Sequence, residues 1–160
     1  MMLEVFRSLP VVRAVCAAEG LPEAALGYAR DTITLGWEDR MKARGRRRTD
    51  GGVEFGTTLP RGTVLGDGDC LVVDQDRLIV TVISLAEPVF VITPVSGSEW
   101  GLFGYHIGNS HQPLMLTERE IVCPDVPGME QVLGYHRIPY TRGMRAFTPV
   151  TQVPTHQHQW

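Results

Sequence analysis

The sequence predicts an α+β protein with two unlike domains. From residue 31 to 85, short apolar runs alternate with turns rich in Asp and Gly, which is typical of a small β-rich domain. From residue 86 to 150, apolar runs and helical patterns follow one another in the order β-α-β-β-α-β, the order of ferredoxin-like domains. Residues 1–30 form an N-terminal extension, and residues 151–160 form a polar tail that we expect to be mobile.

The elements of the first part follow from its turn residues and its alternation. Pro22 and Glu23 predict a short helix at residues 21–26, because Pro and acidic residues are favoured in a first helical turn. The Asp50-Gly51-Gly52 tripeptide predicts a hairpin turn. Strands are predicted around and beyond it, at residues 32–35, 53–59, 71–73 and 78–82.

The second part begins with a predicted strand at residues 88–93. Ser96 or Ser98 would cap a helix that continues through Ile107, since a serine side chain accepts a hydrogen bond from the first helical turn. The other predicted elements are a helix at residues 127–133, strands at 113–116 and 121–123, and an extended segment at 137–150.

Composition excludes several classes of function. The formal net charge of −3 gives no bulk attraction to nucleic acid or to a membrane surface. No apolar run approaches the roughly 20 residues that span a bilayer, and residues 1–13 do not resemble a signal peptide. The three cysteines are odd in number and outside any Cys-x-x-Cys pair, which indicates a reducing, cytoplasmic compartment.

Catalysis has little support in the sequence. It contains no Ser-His-Asp signature, no Gly-x-Gly-x-x-Gly loop and no P-loop, so we predict that the protein is not an enzyme. Cys123 follows a predicted strand and has three interpretations. It is a buried thiol, a soft metal ligand, or the nucleophile of a Cys-His hydrolase.

The histidines are the candidate metal ligands. His106 and His111 flank Gly108 and Asn109, residues that accept the left-handed conformation closing a helix, so His111 is expected in the turn that follows. One histidine in a turn binds a metal ion tightly only if a second copy of the chain supplies another across a two-fold axis. The alternative is that His106 packs in a helix face and His111 caps the turn.

The tail offers a second, weaker metal-binding signal. His156 and His158 alternate in a polar segment, and neutral imidazole suits Ni²⁺, Cu²⁺ and Zn²⁺. A mobile tail that swings onto a metal ion held elsewhere suits transfer of the ion more than storage. The alternative interpretation is a solvated chain end.

Residues 40–48 are rich in basic side chains. Alternation on a single strand would place five of them on one face: Arg40, Lys42, Arg44, Arg46 and Arg48. Such a face fits an acidic partner, nucleic acid or simply solvent. Nucleic acid is disfavoured by the acidic balance of the chain and by the lack of interleaved aromatic residues.

Three stretches together resemble the urease accessory protein E family, dimeric nickel chaperones that feed the assembling urease active site. Two of them lie in the first domain, at residues 34–44 and 59–69. The third is residues 105–114, which is similar to the family signature Tyr-His-Leu-Gly-Asn-Arg-His-x-Pro-Leu. Residues 133–134 and 146–149 are also similar, so the resemblance spans roughly residues 31–150.

The resemblance implies a β-rich partner- or peptide-binding domain followed by a ferredoxin-like metal-binding domain in a homodimer. The principal ligand of the family corresponds to His111, paired across the dimer axis, whereas His106 is better assigned to structure, or at most to an auxiliary role. The implied cargo is Ni²⁺, for which Zn²⁺ or Cu²⁺ would compete at the same site. The implied partners are the urease apoprotein and the accessory GTPase of urease maturation, with neither nucleic acid nor membrane.

The sequence departs from the family pattern at three places. Some members have a His-x-His pair where this chain has Val122-Cys123-Pro124, so an auxiliary site would be absent or rebuilt around Cys123. Ser110 replaces the usual Arg, which removes a positive charge beside His111. Only His156 and His158 remain of a longer His-rich tail. The alternative function is an interaction module of the urease assembly complex in which metal binding is incidental.

Overall fold

The structure, a computed structural model, describes residues 8–150. The chain divides into two compact units, with the boundary between Leu85 and Ala86. The first unit is rich in strands and the second combines helices with an antiparallel sheet, so the predicted α+β class is confirmed. The tail with His156 and His158, which the sequence predicts to be mobile, lies outside the described residues.

The first unit contains two three-stranded sheets, in the orders β1-β4-β3 and β2-β6-β5. Apolar side chains between the strands, among them Phe55, Leu65 and Leu71, are fully buried in its core. From residue 8 onwards, its strands and α-helix are β1 Val11–Val12, β2 Ala29–Leu35, α1 Trp37–Arg40, β3 Arg44–Arg48, β4 Glu54–Thr58, β5 Cys70–Val73 and β6 Leu78–Ser84.

The hairpin predicted at residues 50–52 connects β3 to β4. Gly52 has a φ of +96°, a conformation that glycine adopts without strain. The Asp50 carboxylate accepts hydrogen bonds from the Thr32 hydroxyl at 2.6 Å and from the Thr34 hydroxyl at 2.9 Å. These bonds tie the hairpin turn to β2, which belongs to the other sheet.

The described residues before position 31 pair with strands of the first unit and do not form a separate extension. The predicted helix at 21–26 is reduced to a 3₁₀ turn, Glu23–Ala25. Strand β1 pairs in parallel with β4, and Cys16 exchanges two backbone hydrogen bonds with Cys70, at 3.0 and 2.8 Å. Local sequence patterns do not reveal these pairings, because each partner strand lies far along the chain.

The prediction of one basic strand face over residues 40–48 is wrong. Arg40 lies in helix α1, is only 1% exposed, and donates from Nη1 to the Leu65 carbonyl at 3.1 Å. Lys42 precedes β3 and pairs with Asp39 at 2.7 Å. The helical turn interrupts the alternation, so only Arg44, Arg46 and Arg48 share an exposed strand face.

The second unit has the element order β-α-β-β-α-β, as predicted, and a four-stranded antiparallel sheet in the order β10-β7-β9-β8. This arrangement is ferredoxin-like. Its elements are β7 Ala86–Ile92, α2 Gly97–Asn109, β8 Met115–Leu116, β9 Ile121–Pro124, α3 Met129–Tyr135 and β10 Thr141–Ala146.

Helix α2 begins after Ser96, one of the two predicted caps. The Ser96 hydroxyl accepts from the Glu99 amide at 3.2 Å, and the Glu99 carboxylate in turn accepts from the Val95 amide at 2.9 Å. Phe103 and Ile107 are buried and pack the helix against the apolar side chains of the sheet. Within residues 8–150, no helix is long and apolar enough to cross a bilayer.

Candidate metal centre

The C-terminal end of α2 is closed by two backbone hydrogen bonds that position His111. The Gln112 amide donates to the Ile107 carbonyl at 3.3 Å, and the His111 amide donates to the Gly108 carbonyl at 3.0 Å. This pair of bonds is a Schellman motif, in which the residue after the helix cap adopts the left-handed conformation. Here that residue is His111, with a φ of +56°.

The sequence predicted that Gly108 or Asn109 would adopt this conformation, and that expectation is wrong. Both residues are helical, and Ser110 is the cap residue. A left-handed conformation costs a side-chain-bearing residue about 1–2 kcal/mol relative to glycine. Arg137, with a φ of +54°, closes α3 by the same pair of bonds, so the backbone conformation alone does not distinguish His111. What distinguishes it is that the residue in this position is an imidazole with an exposed side chain.

The surroundings of His111 suit a cation. Its side chain is exposed, and it follows the C-terminus of a helix of 13 residues. The carbonyl groups at that end carry a partial negative charge that favours positive ions nearby. His111 is therefore accessible and electrostatically suited to a metal ion.

The last described residue, Val150, is hydrogen-bonded close to this turn. The Val150 amide donates to the Leu114 carbonyl at 2.7 Å, three residues after His111. Pro149 beside it is buried. The described part of the chain thus ends beside Leu114, although Val150 is far from it in sequence.

His106 is not directed toward the same point as His111. Its ring stacks on the ring of His136, with centroids 3.9 Å apart and an interplanar angle of 17°. Imidazole lone pairs lie in the ring plane, so two nearly parallel rings cannot direct their nitrogens at one shared ion in this geometry. His136 carries no signal in the sequence, because nothing in its local pattern reveals a partner 30 residues earlier.

Cys123 is a core residue in this structure. Its side chain is 0% exposed among Phe90, Phe103 and Met129, and burial raises the pKa of its thiol to about 12. A metal ligand or nucleophile has to be a thiolate that the ion or substrate can reach. Neither condition holds here, so the interpretations of Cys123 as an auxiliary ligand or as a nucleophile are not supported.

One chain alone does not assemble a complete metal site within the described residues. Between residues 8 and 150, no group of three or more His, Cys, Asp or Glu side chains is placed to hold an ion. A metal ion at His111 would therefore need ligands from outside this set.

The solvent face of α2 carries large apolar side chains. Leu102 is 53% exposed and Tyr105 is 64% exposed. They lie three residues apart and so share a face of the helix. His111 follows the C-terminal end of the same helix. Gly101 and Gly108 lie on the same side, and nothing lies within 4 Å of the position that a Cβ would take at either.

Comparison with known proteins identifies the family. A model described as the N-terminal domain of the UreE urease accessory protein matches residues 13–84, and the model of the C-terminal domain of the same protein matches residues 87–160. The chain belongs to the UreE urease accessory protein family. The second match includes α2, the His111 turn and the tail.

Individual relatives agree with this membership. A urease accessory protein UreE from Bacillus cereus is 29% identical over 128 residues, which cover 80% of this chain and 84% of the relative. One from Streptococcus vestibularis is 31% identical over 71% of this chain and 75% of the relative. One from Alkalilimnicola ehrlichii is 41% identical over 61% of this chain and 58% of the relative. The resemblance found in the sequence is confirmed, and with it the prediction of an accessory protein that is not an enzyme.

Proposed function

We propose that this protein is a homodimeric metallochaperone that binds Ni²⁺ and delivers it to the urease maturation complex. The observation that carries the proposal is the position of His111, exposed in a left-handed residue at the end of a helix. Membership of a urease accessory family supplies the destination. Nickel follows from that destination, because imidazole ligands alone would favour Cu²⁺.

The homodimer supplies the second ligand in this proposal. In a two-fold interface, every residue near the axis meets its own copy. The exposed Leu102 and Tyr105 give α2 an apolar face that a second copy would cover. The glycines at 101 and 108 leave room for close approach on that face. Pairing along α2 would bring two His111 side chains to one central site.

The tail completes or shuttles the ion. His156 follows Val150 by six residues, so a fully extended tail reaches roughly 20 Å from the Leu114 carbonyl that holds Val150. That reach includes the His111 turn, and it supports His156 and His158 as additional ligands. His106 and Cys123 are not part of the proposed site.

The remaining parts of the proposal concern partners and location. The urease apoprotein and the accessory GTPase of urease maturation would receive or help transfer the ion in the cytoplasm. Zn²⁺ and Cu²⁺ would compete with Ni²⁺ at the His111 site, since the three ions share a preference for imidazole.

Isothermal titration of metal-free protein with Ni²⁺ at neutral pH tests the central site. His111→Asn is the informative variant, because Asn accepts the left-handed conformation and removes only the imidazole. We expect the tightest binding step to disappear in this variant. An unchanged tightest step would refute His111 as the ligand, and His136→Asn is the matched control that should leave the step intact.

The oligomeric state and the tail are tested on the same protein. Sedimentation should show a dimer, and charged substitution at Leu102 or Tyr105 should weaken both dimerisation and Ni²⁺ affinity. A chain ending at Thr151 should bind Ni²⁺ more weakly or bind fewer ions. If that chain binds Ni²⁺ unchanged, the tail has no role in the site.

A second candidate function is an interaction module of the urease assembly complex with incidental metal binding. It is favoured by the lack of a three-ligand group within residues 8–150. A metal-free preparation that forms the full complex and activates urease as well as the loaded protein would support this alternative over metal delivery.

A further inference from the structure

Strand β3 forms an open edge of the first unit. The sheet order is β1-β4-β3, so β3 has a partner on one side only within the described residues. Its sequence is Arg-Gly-Arg-Arg-Arg. An open edge is a template for another extended chain, and proteins usually protect it by shortening, bending or charging it.

The backbone groups of this edge are oriented by the register with β4. The Leu59 amide donates to the Ala43 carbonyl at 2.9 Å, and the Thr49 amide donates to the Val53 carbonyl at 2.9 Å. Because backbone direction alternates along a strand, the odd-numbered residues from 43 to 49 face β4. The amides and carbonyls of Arg44, Arg46 and Arg48 therefore point to the open side, where no hydrogen bond involves them within residues 8–150.

The side chains along this edge are cationic and exposed. Arg48 pairs with Glu54 of β4 at 3.4 Å, whereas Arg44 and Arg46 form no ion pair with any described residue. Arg47 points the other way, is 7% exposed, and donates to the Asp39 carbonyl at 2.9 Å. The edge thus combines unused backbone groups with two unpaired positive charges on the outer face.

A recess of about 360 Å³ adjoins the start of β3. Its walls combine apolar and cationic side chains, namely Met41, Ala43, Arg44, Leu59, Arg61 and Gly62. Met41 is an exposed apolar residue at 39% and Arg61 forms no ion pair with any described residue. The recess can take one side chain of a segment that lies along the edge.

We propose that β3 binds an extended acidic segment of a partner protein by strand addition. The segment would hydrogen-bond to the outward amides and carbonyls of Arg44, Arg46 and Arg48. Alternate carboxylates on its outer face would pair with Arg44 and Arg46, and one apolar side chain near the start of β3 would enter the recess. This interface is independent of the metal site proposed above.

A protein segment fits this edge better than a nucleic acid does. Single-stranded nucleic acid binds through stacking on aromatic side chains as well as through charge. The recess and β3 contain no aromatic residue, and the chain carries a net charge of −3. Unused strand-edge amides and carbonyls, by contrast, are matched by another peptide backbone.

The test uses the full-length protein and a labelled peptide of about nine residues, the length of an ordinary strand, with Glu and Val in alternation. Fluorescence anisotropy should show saturable binding that weakens as salt is added. A second peptide has Gln in place of Glu, and a third is N-methylated at alternate amides so that one edge of its backbone cannot donate. Both modified peptides should bind at least about fivefold more weakly.

Matched protein variants locate the site. Arg44→Ser combined with Arg46→Ser should lower the affinity for the Glu-Val peptide by about fivefold to tenfold. Arg30→Ser combined with Arg119→Ser removes the same charge from exposed positions elsewhere and should change the affinity by less than about twofold. Because all four side chains are exposed, thermal melting should confirm that both double variants remain folded.

Hydrogen exchange distinguishes strand addition from simple charge attraction. In the complex, the amides of Arg44, Arg46 and Arg48 should exchange more slowly, because each gains a hydrogen bond. The proposal is overturned if the peptide does not bind, if these amides are unaffected, or if the N-methylated peptide binds as well as the parent. It is also overturned if a single-stranded oligonucleotide displaces the peptide at lower concentration than the peptide itself.

Discussion

His106 and His136 stack face to face, 3.9 Å between ring centroids, and this contact joins the last turn of α2 to the residue that caps α3. The rings of Tyr105 and Tyr135 lie edge-on to His106 and His136, at 5.4 and 4.9 Å. His106, within the signature at residues 105–114, thus packs against His136, which lies outside that signature. The other histidine of the signature, His111, is exposed.

The stacked pair should contribute to stability and not to metal affinity. His136→Ala removes one ring and should lower the free energy of unfolding by about 1 kcal/mol, the usual value of an aromatic contact. His136→Phe keeps a ring at the same place and should recover most of that loss. Chemical denaturation measures both changes. A drop in Ni²⁺ affinity in His136→Phe would instead assign this pair to the metal site.

The backbone strain at His111 predicts that stability and metal binding change in opposite directions. His111→Gly relieves the left-handed conformation and should raise the free energy of unfolding by about 1 kcal/mol in metal-free protein. The same variant should lose the tightest Ni²⁺ site. Thermal melting and calorimetric titration of one preparation measure both effects. A substitution that destabilises the metal-free protein would show that the imidazole serves the turn.

The hairpin carboxylates predict a loss of stability in acid. Hydrogen bonds from Thr32 and Thr34 lower the pKa of Asp50, and bonds from Thr49 and from the Thr32 amide lower the pKa of Asp31. A carboxyl group with a depressed pKa in the folded state stabilises the protein above its unfolded pKa, near 3.9, and this contribution is lost as the pH falls through the folded value. Stability should therefore fall steadily below about pH 4–5.

Asp50→Asn tests the source of that pH dependence. Denaturation from pH 7 to pH 3 should show a less stable variant at pH 7 and a shallower loss of stability in acid. Glu118→Gln is the control, because Glu118 is exposed and its carboxylate forms no ion pair with a described residue. An equal effect from both variants would mean that the hairpin hydrogen bonds do not determine the acid limit.

Burial of Cys123 predicts that its thiol is unreactive in the folded protein. With a pKa raised to about 12, it is almost entirely protonated at pH 8 and is shielded from reagents. The half-buried Cys16 should react first with a disulfide reagent, and Cys123 only after unfolding. Mass spectrometry of labelled peptides identifies the order. Rapid labelling of Cys123 in native protein would reopen its role as a ligand.

Much of the second unit follows from local patterns in the sequence. The Ser96 cap, the apolar positions Phe103 and Ile107, and the short apolar runs on either side of the helices predict each element separately. Their order is sufficient for a ferredoxin-like arrangement, because such an order has few ways to form one sheet. The signature at residues 105–114 likewise carried the family resemblance without any coordinates.

Where the sequence interpretation failed, a distant contact decided the outcome. Arg40 belongs to a regular basic alternation, yet it is buried because a helical turn aims it at the Leu65 carbonyl. The backbones of Cys16 and Cys70 are likewise hydrogen-bonded to each other across 54 positions of the chain. Local periodicity describes the preferences of neighbouring residues and holds no information on which remote group completes a hydrogen bond.

The sequence by itself determined the fold class, the family and the two histidines of interest. Only the tertiary structure distinguished those two. It placed His106 on His136, gave His111 the left-handed turn, and held Val150 against Leu114, three residues after His111. The physical reason is that metal binding requires exposure and orientation, and both depend on the packing of helices and strands far apart in the chain.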